Sequence, residues 1–168
     1  LNEGVNDPGI FEAVFLAGGP GSGKSYVAQQ LFGIPEKVNV SKTGLKMINQ
    51  DQELEMLLKK FYGQDSTVDY LNIQAYPPEL FKQLTDPDSD DYSGLRSSAK
   101  YLSQKRMGQY LKGRLGMIID GTGHKFSVVK KQRKELLDYG YDTYMVFITT
   151  SLEVAQERNE SRPRRLPE

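Results

Sequence analysis

The chain of 168 residues contains no cysteine and only one histidine, His124. The absence of cysteine excludes disulfide bonds, thiolate metal sites and thiol nucleophiles. One histidine cannot form a zinc site alone, because such sites need several His or Cys ligands. With no partner to activate it, His124 is interpreted as a helix-start residue and not as a catalyst. The chemistry must therefore come from other residue types.

The chain also lacks net charge, since 22 Lys and Arg residues balance 22 Asp and Glu residues. A neutral protein has no overall field that draws it to nucleic acid or to a membrane surface. No apolar stretch approaches the roughly 20 residues that span a bilayer, and the N-terminal residues lack the basic start of a secretory signal. We expect a single domain, residues 1–168, in the cytoplasm and without a membrane partner.

Short apolar runs, each followed by a helical pattern, predict the architecture. The predicted strands are residues 13–17, 45–49, 117–119 and 144–148, and the predicted helices are 26–32, 51–61, 126–136 and 152–158. This repeated β-α alternation predicts an α/β fold in which helices cover both faces of a parallel sheet. Gly140 is expected just after a helix, and Ser151 is expected to cap the start of the next one.

Residues 62–95 break this alternation with two consecutive prolines and a run of aspartates. So long a stretch without clear periodicity is interpreted as an irregular insertion that covers the site. Asp86, Asp88 and Asp90 have the spacing of a calcium loop, but the glycine at its sixth position and the glutamate at its twelfth are both missing. A solvated acidic loop is therefore the better interpretation.

The stretch GGPGSGKS, residues 18–25, follows the first apolar run and fits the Walker A or P-loop pattern Gly-x-x-x-x-Gly-Lys-Ser. Glycines let such a loop point its backbone N–H groups at phosphates, at the positive end of the following helix. Lys24 would reach the β- and γ-phosphates of ATP, and Ser25 would coordinate Mg²⁺. The predicted nucleotide-binding residues are Gly19, Pro20, Gly21, Ser22, Gly23, Lys24, Ser25 and Tyr26. A glycine-rich turn without a ligand is the alternative, which the complete pattern in its strand–loop–helix context disfavours.

A second metal ligand is expected at the end of another strand, where Asp120 follows the apolar residues 117–119. Apolar runs that end in Asp are also common turn starts, but the P-loop favours the metal role. The turn Gly121-Thr122-Gly123 stands where an ATP-hydrolysing motor would carry a glutamate that activates water. The chain also lacks the Asn-Lys-x-Asp tetrad of guanine-specific switch proteins. Both absences favour phosphoryl transfer over hydrolysis.

Four blocks of the sequence together resemble the small P-loop kinases. The blocks are GGPGSGKS at 18–25, Met47–Asp51, Ile118–Gly123 and Arg158–Arg162. Within that group they are most similar to the branch of polynucleotide 5′-hydroxyl kinases and zeta-toxin-like kinases. The resemblance covers residues 13–166 and implies a three-layer P-loop NTPase fold of the nucleoside and nucleotide kinase type. It also implies an enzyme that binds ATP with Mg²⁺ and transfers the γ-phosphoryl group to a hydroxyl group.

The resemblance assigns roles to residues outside the P-loop. Asp51 occupies the place of the aspartate that accepts the proton of the substrate hydroxyl, although it could instead only cap a helix. Arg158 and Arg162 belong to a segment, residues 158–168, that resembles the family's lid, whose arginines stabilise charge on the transferring group. A basic helix end is the alternative for these arginines. The predicted catalytic residues are Lys24, Asp51, Arg158 and Arg162, and the predicted metal ligands are Ser25 and Asp120.

The sequence leaves the acceptor open. Polynucleotide kinases place an arginine three residues after the aspartate to hold the substrate phosphate, and Leu54 stands there instead. This departure and the neutral charge disfavour nucleic acid, although Arg106, Lys112 and Arg114 could form a local basic patch. Nucleic acid 5′-hydroxyl groups, nucleosides and nucleotide-sugars are all candidate acceptors. The alternative function is a regulatory module that binds ATP without transferring its phosphoryl group.

Overall fold

A computed structural model describes residues 9–34, 44–62, 90–123 and 125–161 of the chain. Its elements are β1 (Glu12–Ala17), α1 (Lys24–Phe32), β2 (Lys46–Asn49), α2 (Gln50–Tyr62), α3 (Asp90–Lys112), β3 (Met117–Gly121), α4 (Phe126–Asp138), β4 (Asp142–Phe147) and α5 (Leu152–Glu160). Every predicted strand and helix is present, with ends that differ by no more than two residues from the predicted ones. None of the helices in the described ranges is both long enough and apolar enough to cross a membrane.

The strands form one sheet in the order β2-β3-β1-β4, and all neighbouring strands are parallel. Alternate residues of β1 enter two hydrophobic cores on opposite faces of this sheet. Ala13 and Phe15 belong to a core shared with α3 and α4, whereas Val14 and Leu16 belong to one shared with Ala28 of α1. The predicted α/β architecture of three layers is therefore confirmed.

The helix α3 is a feature that the sequence pattern did not predict. Its buried positions lie four residues apart, at Ala99, Ser103, Met107 and Leu111. Two of these residues are small or polar, so the apolar periodicity that identifies a helix is weak. Because α2 reaches residue 62 and α3 begins at residue 90, the prediction of an irregular insertion is wrong at both ends of 62–95. Residues 63–89 lie outside the described residues, and so does the prediction that they cover the site.

Both predicted helix-end signals are confirmed. Gly140 follows α4 in the left-handed conformation, with φ +84°, and its N–H donates to the carbonyl oxygen of Leu137 at 2.9 Å. At the start of α5, the Ser151 hydroxyl accepts a hydrogen bond from the Val154 N–H at 3.4 Å. Hydrogen bonds from its own backbone N–H and from Ser151 lower the pKa of the Glu153 carboxyl group. The polar start of α5 is thus fixed by local hydrogen bonds.

The edge strand β4 differs from the other strands because its side chains are exposed on both faces of the sheet. The exposed fractions of Tyr144, Met145 and Phe147 are 52%, 55% and 69%. Parallel strands are normally covered on both faces. Among the described residues, this outer part of the sheet is therefore covered less completely than the rest, and β4 is held mainly by its pairing with β1.

Candidate active site

The P-loop connects β1 to α1 and packs closely against the segment that follows β4. A Cβ atom on Gly18 would collide with the carbonyl oxygen of Ile148, and one on Gly21 would collide with that of Ala155 in α5. Gly21 and Gly23 also have φ values of +73° and +94°, which side chains disfavour. Glycine is therefore required here both by backbone conformation and by the lack of space for a side chain.

Lys24 is the first residue of α1, and its ammonium group folds back over the P-loop. The Nζ atom donates to the carbonyl oxygens of Gly18 and Gly19, at 2.7 and 3.0 Å. The start of α1 has no side-chain cap and no acidic residue in its first turn. The positive end of this helix and the lysine charge thus lie at the same loop, an arrangement that favours anions. Ser25 and Tyr26, the next two residues, are exposed.

Asn49 joins the ends of two strands to the start of a helix. It lies opposite Asp120 in the β2–β3 register, and its Nδ2 atom donates to Oδ2 of Asp120 at 2.7 Å. Its Oδ1 atom accepts hydrogen bonds from the backbone N–H groups of Asp51 and Gln52, at 2.8 and 3.3 Å. Asn49 is therefore the residue that caps α2, and the suggestion that Asp51 acts only as the cap is wrong.

A cavity of about 410 Å³ opens at the carboxyl ends of β1, β2 and β3. It brings together Lys24, Asp51 and Asp120, which the sequence placed in three separate blocks. The opposite wall is formed by residues of α3 and α4, among them Arg96, and by Lys125, which directly precedes α4. Ligand sites in parallel sheets form at this end of the strands, where the loops that follow them converge.

The cavity also includes residues that sequence reasoning missed. The wall contains the apolar residues Ile119 and Val129 beside Arg96, Lys125 and Gln132. Arg96 could not be placed there because α3 itself was not predicted. Lys125 lies five residues after the predicted metal ligand, Asp120. This short distance along the chain was the signal that could have placed Lys125 near the site.

Arg158 reaches the P-loop from α5. Its Nη1 atom lies 3.5 Å from the carbonyl oxygen of Gly21, a long hydrogen bond. A Cβ atom on Gly23 would lie 3.1 Å from the same guanidinium atom. This position agrees with the predicted lid, although its role in catalysis stays a prediction. Arg162 and the rest of the predicted lid, residues 162–168, lie outside the described residues.

Two of the three residues that the sequence suggests as a local basic patch contact other side chains in the structure. Arg106 forms an ion pair with the buried carboxylate of Glu53 at 2.8 Å. The guanidinium carbon of Arg114 lies 5.7 Å from the ring centre of Phe11. Leu54 is buried in the core. Two of the proposed basic residues thus serve structural contacts, which weakens the case for nucleic acid as a ligand.

The oxygen donors near the P-loop are suited to a magnesium ion that also binds the phosphates of a nucleotide. They are less suited to a metal ion that is held by protein side chains alone. Mg²⁺ usually binds one or two carboxylates together with the phosphates of its nucleotide. Ser25 offers a hydroxyl oxygen, and Asp120 offers a carboxylate that Asn49 orients through the 2.7 Å hydrogen bond. Among the residues that the structure describes, no group of three or more His, Cys, Asp or Glu residues could hold a metal ion.

Comparisons with known proteins agree with this fold. A family model described as an AAA domain matches residues 14–168. A chain from the PezAT chromosomal toxin–antitoxin system of Streptococcus pneumoniae is 18% identical, with a TM-score of 0.56 over 89% of this chain and 51% of that one. A proposed kinase from Chloroflexus aurantiacus is 14% identical, with a TM-score of 0.57 over 94% of this chain and 68% of that one.

No curated protein is significantly similar to the chain in sequence. The chain spans about half the length of the Streptococcus pneumoniae structure. Together, the family match and the two structures confirm the predicted P-loop NTPase-like fold with its parallel sheet.

Proposed function

The chain belongs to the AAA domain family, and we propose that it is a kinase that binds ATP with Mg²⁺ and phosphorylates a hydroxyl group. The observation that carries this proposal is that Lys24, Asp51 and Asp120 line the same cavity. A phosphate-binding cation, a carboxylate for the metal and a carboxylate for the acceptor proton are the groups that this reaction needs.

The nucleotide end of the site consists of the P-loop and the start of α1. Backbone N–H groups of Gly19, Gly21 and residues 23–25 would hold the β- and γ-phosphates, and Lys24 would exchange its two carbonyl partners for phosphate oxygens. Ser25 and Asp120 would hold Mg²⁺, which, when bound, neutralises charge on these phosphates. Asn49 supports this role because it fixes one oxygen of the Asp120 carboxylate.

Asp51 is proposed to act at the acceptor end of the cavity. The acceptor oxygen attacks the γ-phosphorus, the bond from that phosphorus to the bridging oxygen of ADP breaks, and the hydroxyl proton passes to the Asp51 carboxylate. Asp51 suits this role because it lines the cavity while Asn49 caps the helix. Arg158, beside the P-loop, and Arg162 would stabilise charge on the transferring group. Most of the rate enhancement comes from positioning and charge neutralisation.

Two observations favour phosphoryl transfer over the alternative of an ATP-binding regulatory module. The turn after Asp120, which also lines the cavity, consists of Gly121, Thr122 and Gly123 and contains no carboxylate to activate water. The cavity extends from Lys24 to the walls formed by α3 and α4, beyond the P-loop itself. A module that only senses ATP does not need a cavity that extends so far beyond the P-loop.

The proposal is tested by transfer of radiolabel from γ-labelled ATP, with Mg²⁺, to oligonucleotides, nucleosides, sugars and UDP-sugars. We expect at least one class to be labelled by the natural protein and by the control Lys130→Ala, which changes an exposed lysine of α4 outside the cavity. Lys24→Ala should abolish ATP binding or transfer. Unchanged activity of folded Lys24→Ala would refute the P-loop assignment. Tight ATP binding without transfer to any acceptor would support the regulatory module instead.

A further inference from the structure

One side chain, that of Asn49, contacts both the metal end and the acceptor end of the proposed site. The residue stands at the carboxyl end of β2, is half-buried and lines the cavity. Its Nδ2 atom donates to Oδ2 of Asp120 at 2.7 Å, and its Oδ1 atom accepts from the backbone N–H of Asp51 at 2.8 Å. The proposed ligand of Mg²⁺ and the proposed proton acceptor are therefore joined through a single planar amide group.

These two contacts require a donor and an acceptor on the same side chain. The Asp120 carboxylate only accepts hydrogen bonds, whereas the backbone N–H groups of Asp51 and Gln52 only donate them. An amide satisfies both at once, and it does so only in the observed orientation. A serine has one polar atom on a shorter side chain, so it could cap the helix but could not span both contacts.

The pairing of the strands makes this link short. Asn49 lies opposite Asp120 in the parallel register of β2 and β3, beside the buried pair of Ile48 and Ile119. The sheet thus fixes the main chain at both ends of the 2.7 Å hydrogen bond. The helix α2 follows β2 without an intervening residue. The amide of Asn49 therefore ties the first turn of α2, which carries Asp51, to the carboxylate at the end of β3.

Resting on the proposed function, we propose that Asn49 is a positioning residue for phosphoryl transfer, which keeps Asp120 oriented for Mg²⁺ and holds Asp51 at the acceptor hydroxyl. Replacement of a residue that hydrogen-bonds to a metal ligand typically lowers metal affinity or activity by about 10- to 100-fold. Loss of the amide should therefore weaken both ends of the site together, even in a variant that keeps the helix cap. A residue that only capped α2 would affect stability alone.

The test compares Asn49→Ser with Asn49→Ala. Serine caps a helix about as well as asparagine and alanine does not, while neither carries the amide that reaches Asp120. Calorimetry measures the dissociation constant of a non-hydrolysable ATP analogue for the full chain, once with Mg²⁺ and once with EDTA. The ratio of the two constants, the Mg²⁺ ratio, gives the contribution of the metal to binding. We expect both variants to lower this ratio equally, by about 10-fold or more, although Asn49→Ala should melt at a lower temperature than Asn49→Ser.

Double variants connect these losses to the two carboxylates. In the Asp120→Asn background, Asn49→Ser should have no further effect on the Mg²⁺ ratio, because the carboxylate that it orients is already gone. Transfer at saturating Mg²⁺ and ATP should fall by about 10- to 100-fold in Asn49→Ser, and by a smaller factor when the same change is made in the Asp51→Asn background. The control Gln104→Ser, which replaces an exposed amide of α3 outside the cavity, should leave both the Mg²⁺ ratio and transfer unchanged.

The outcomes distinguish this inference from the proposed kinase activity. A Mg²⁺ ratio that is unchanged in Asn49→Ser, a loss found only in the less stable Asn49→Ala, or a full further loss in the Asp120→Asn background would overturn the positioning role. Unchanged transfer in Asn49→Ser would also overturn it, although the kinase activity would stand. A lowered Mg²⁺ ratio that depends on Asp120, without transfer to any acceptor by the natural protein, would support the positioning of the metal ligand and contradict the kinase activity.

Discussion

Replacement of Asp51 by asparagine distinguishes a catalytic role of its carboxylate from a structural one. Asp51 is exposed in the first turn of α2, where Asn49 supplies the cap through two hydrogen bonds, so asparagine preserves the shape and removes only the charge. If Asp51 accepts the acceptor proton, transfer should fall by roughly 10²- to 10⁴-fold, the range for loss of a general base. The lost interaction with the helix dipole is worth about 1 kcal/mol at most.

Three measurements on Asp51→Asn test this reasoning: the transfer rate with the acceptor found in the panel, the ATP dissociation constant and the melting temperature. The expected result is a large loss of rate with nearly unchanged ATP affinity and a melting temperature lowered by no more than about 4 °C. Glu55→Gln is the matched control, because it removes a carboxylate one turn further along α2 and outside the cavity.

Full activity of Asp51→Asn would remove Asp51 from the catalytic mechanism. A large loss of stability in Asp51→Asn or Asp51→Ala would show that the helix depends on this side chain, against the capping role of Asn49. Equal loss of activity in Glu55→Gln would show that the rate follows the charge of the helix and not the position of one carboxylate.

The remaining predictions concern the cap, the P-loop contact from α5 and the buried tyrosine. Asn49→Ala removes both the helix cap and the bond to Asp120, so the free energy of unfolding in urea should fall by about 2–4 kcal/mol, and no change would refute the linking role. Arg158→Ala should slow transfer more than it weakens ATP binding, with Arg133→Ala as the control, whereas equal losses would indicate ordinary ground-state binding. Burial raises the pKa of Tyr141 to about 12, from a usual value of about 10. The neutral phenol is thus favoured in the fold, so its contribution to stability is complete below about pH 10 and is lost as the pH rises towards about 12. Urea unfolding at several pH values should show this loss in the natural protein and not in Tyr141→Phe.

Local sequence patterns were sufficient for the strands, for most of the helices and for the P-loop. Buried parallel strands are short apolar runs, and the P-loop needs its glycines at fixed positions, so both leave a signal within a few residues. The helix α3 left a weaker signal, because Ala99 and Ser103 occupy positions on its buried side. Because α3 was not predicted, Arg96 could not be recognised as a residue of the site.

Contacts between distant segments could not be predicted from local patterns. The hydrogen bond from Asn49 to Asp120 joins residues 71 positions apart and depends on the register between β2 and β3. Asp51 was the alternative candidate for the cap because the predicted helix begins one residue late, and helix ends are the least certain part of such predictions. The proximity of Arg158 to the P-loop likewise requires the order of the strands in the sheet.

The fate of the γ-phosphorus of ATP tests the central claim most directly. The natural protein is mixed with Mg²⁺, γ-labelled ATP and the member of the acceptor panel that binds best, and the label in each product is counted beside the ADP formed. The proposed kinase activity predicts that the label enters the acceptor as a phosphomonoester, in an amount equal to the ADP, and that Lys24→Ala forms neither product. Label found only as inorganic phosphate would show hydrolysis, and label retained in bound ATP would show a binding module; either result would contradict phosphoryl transfer.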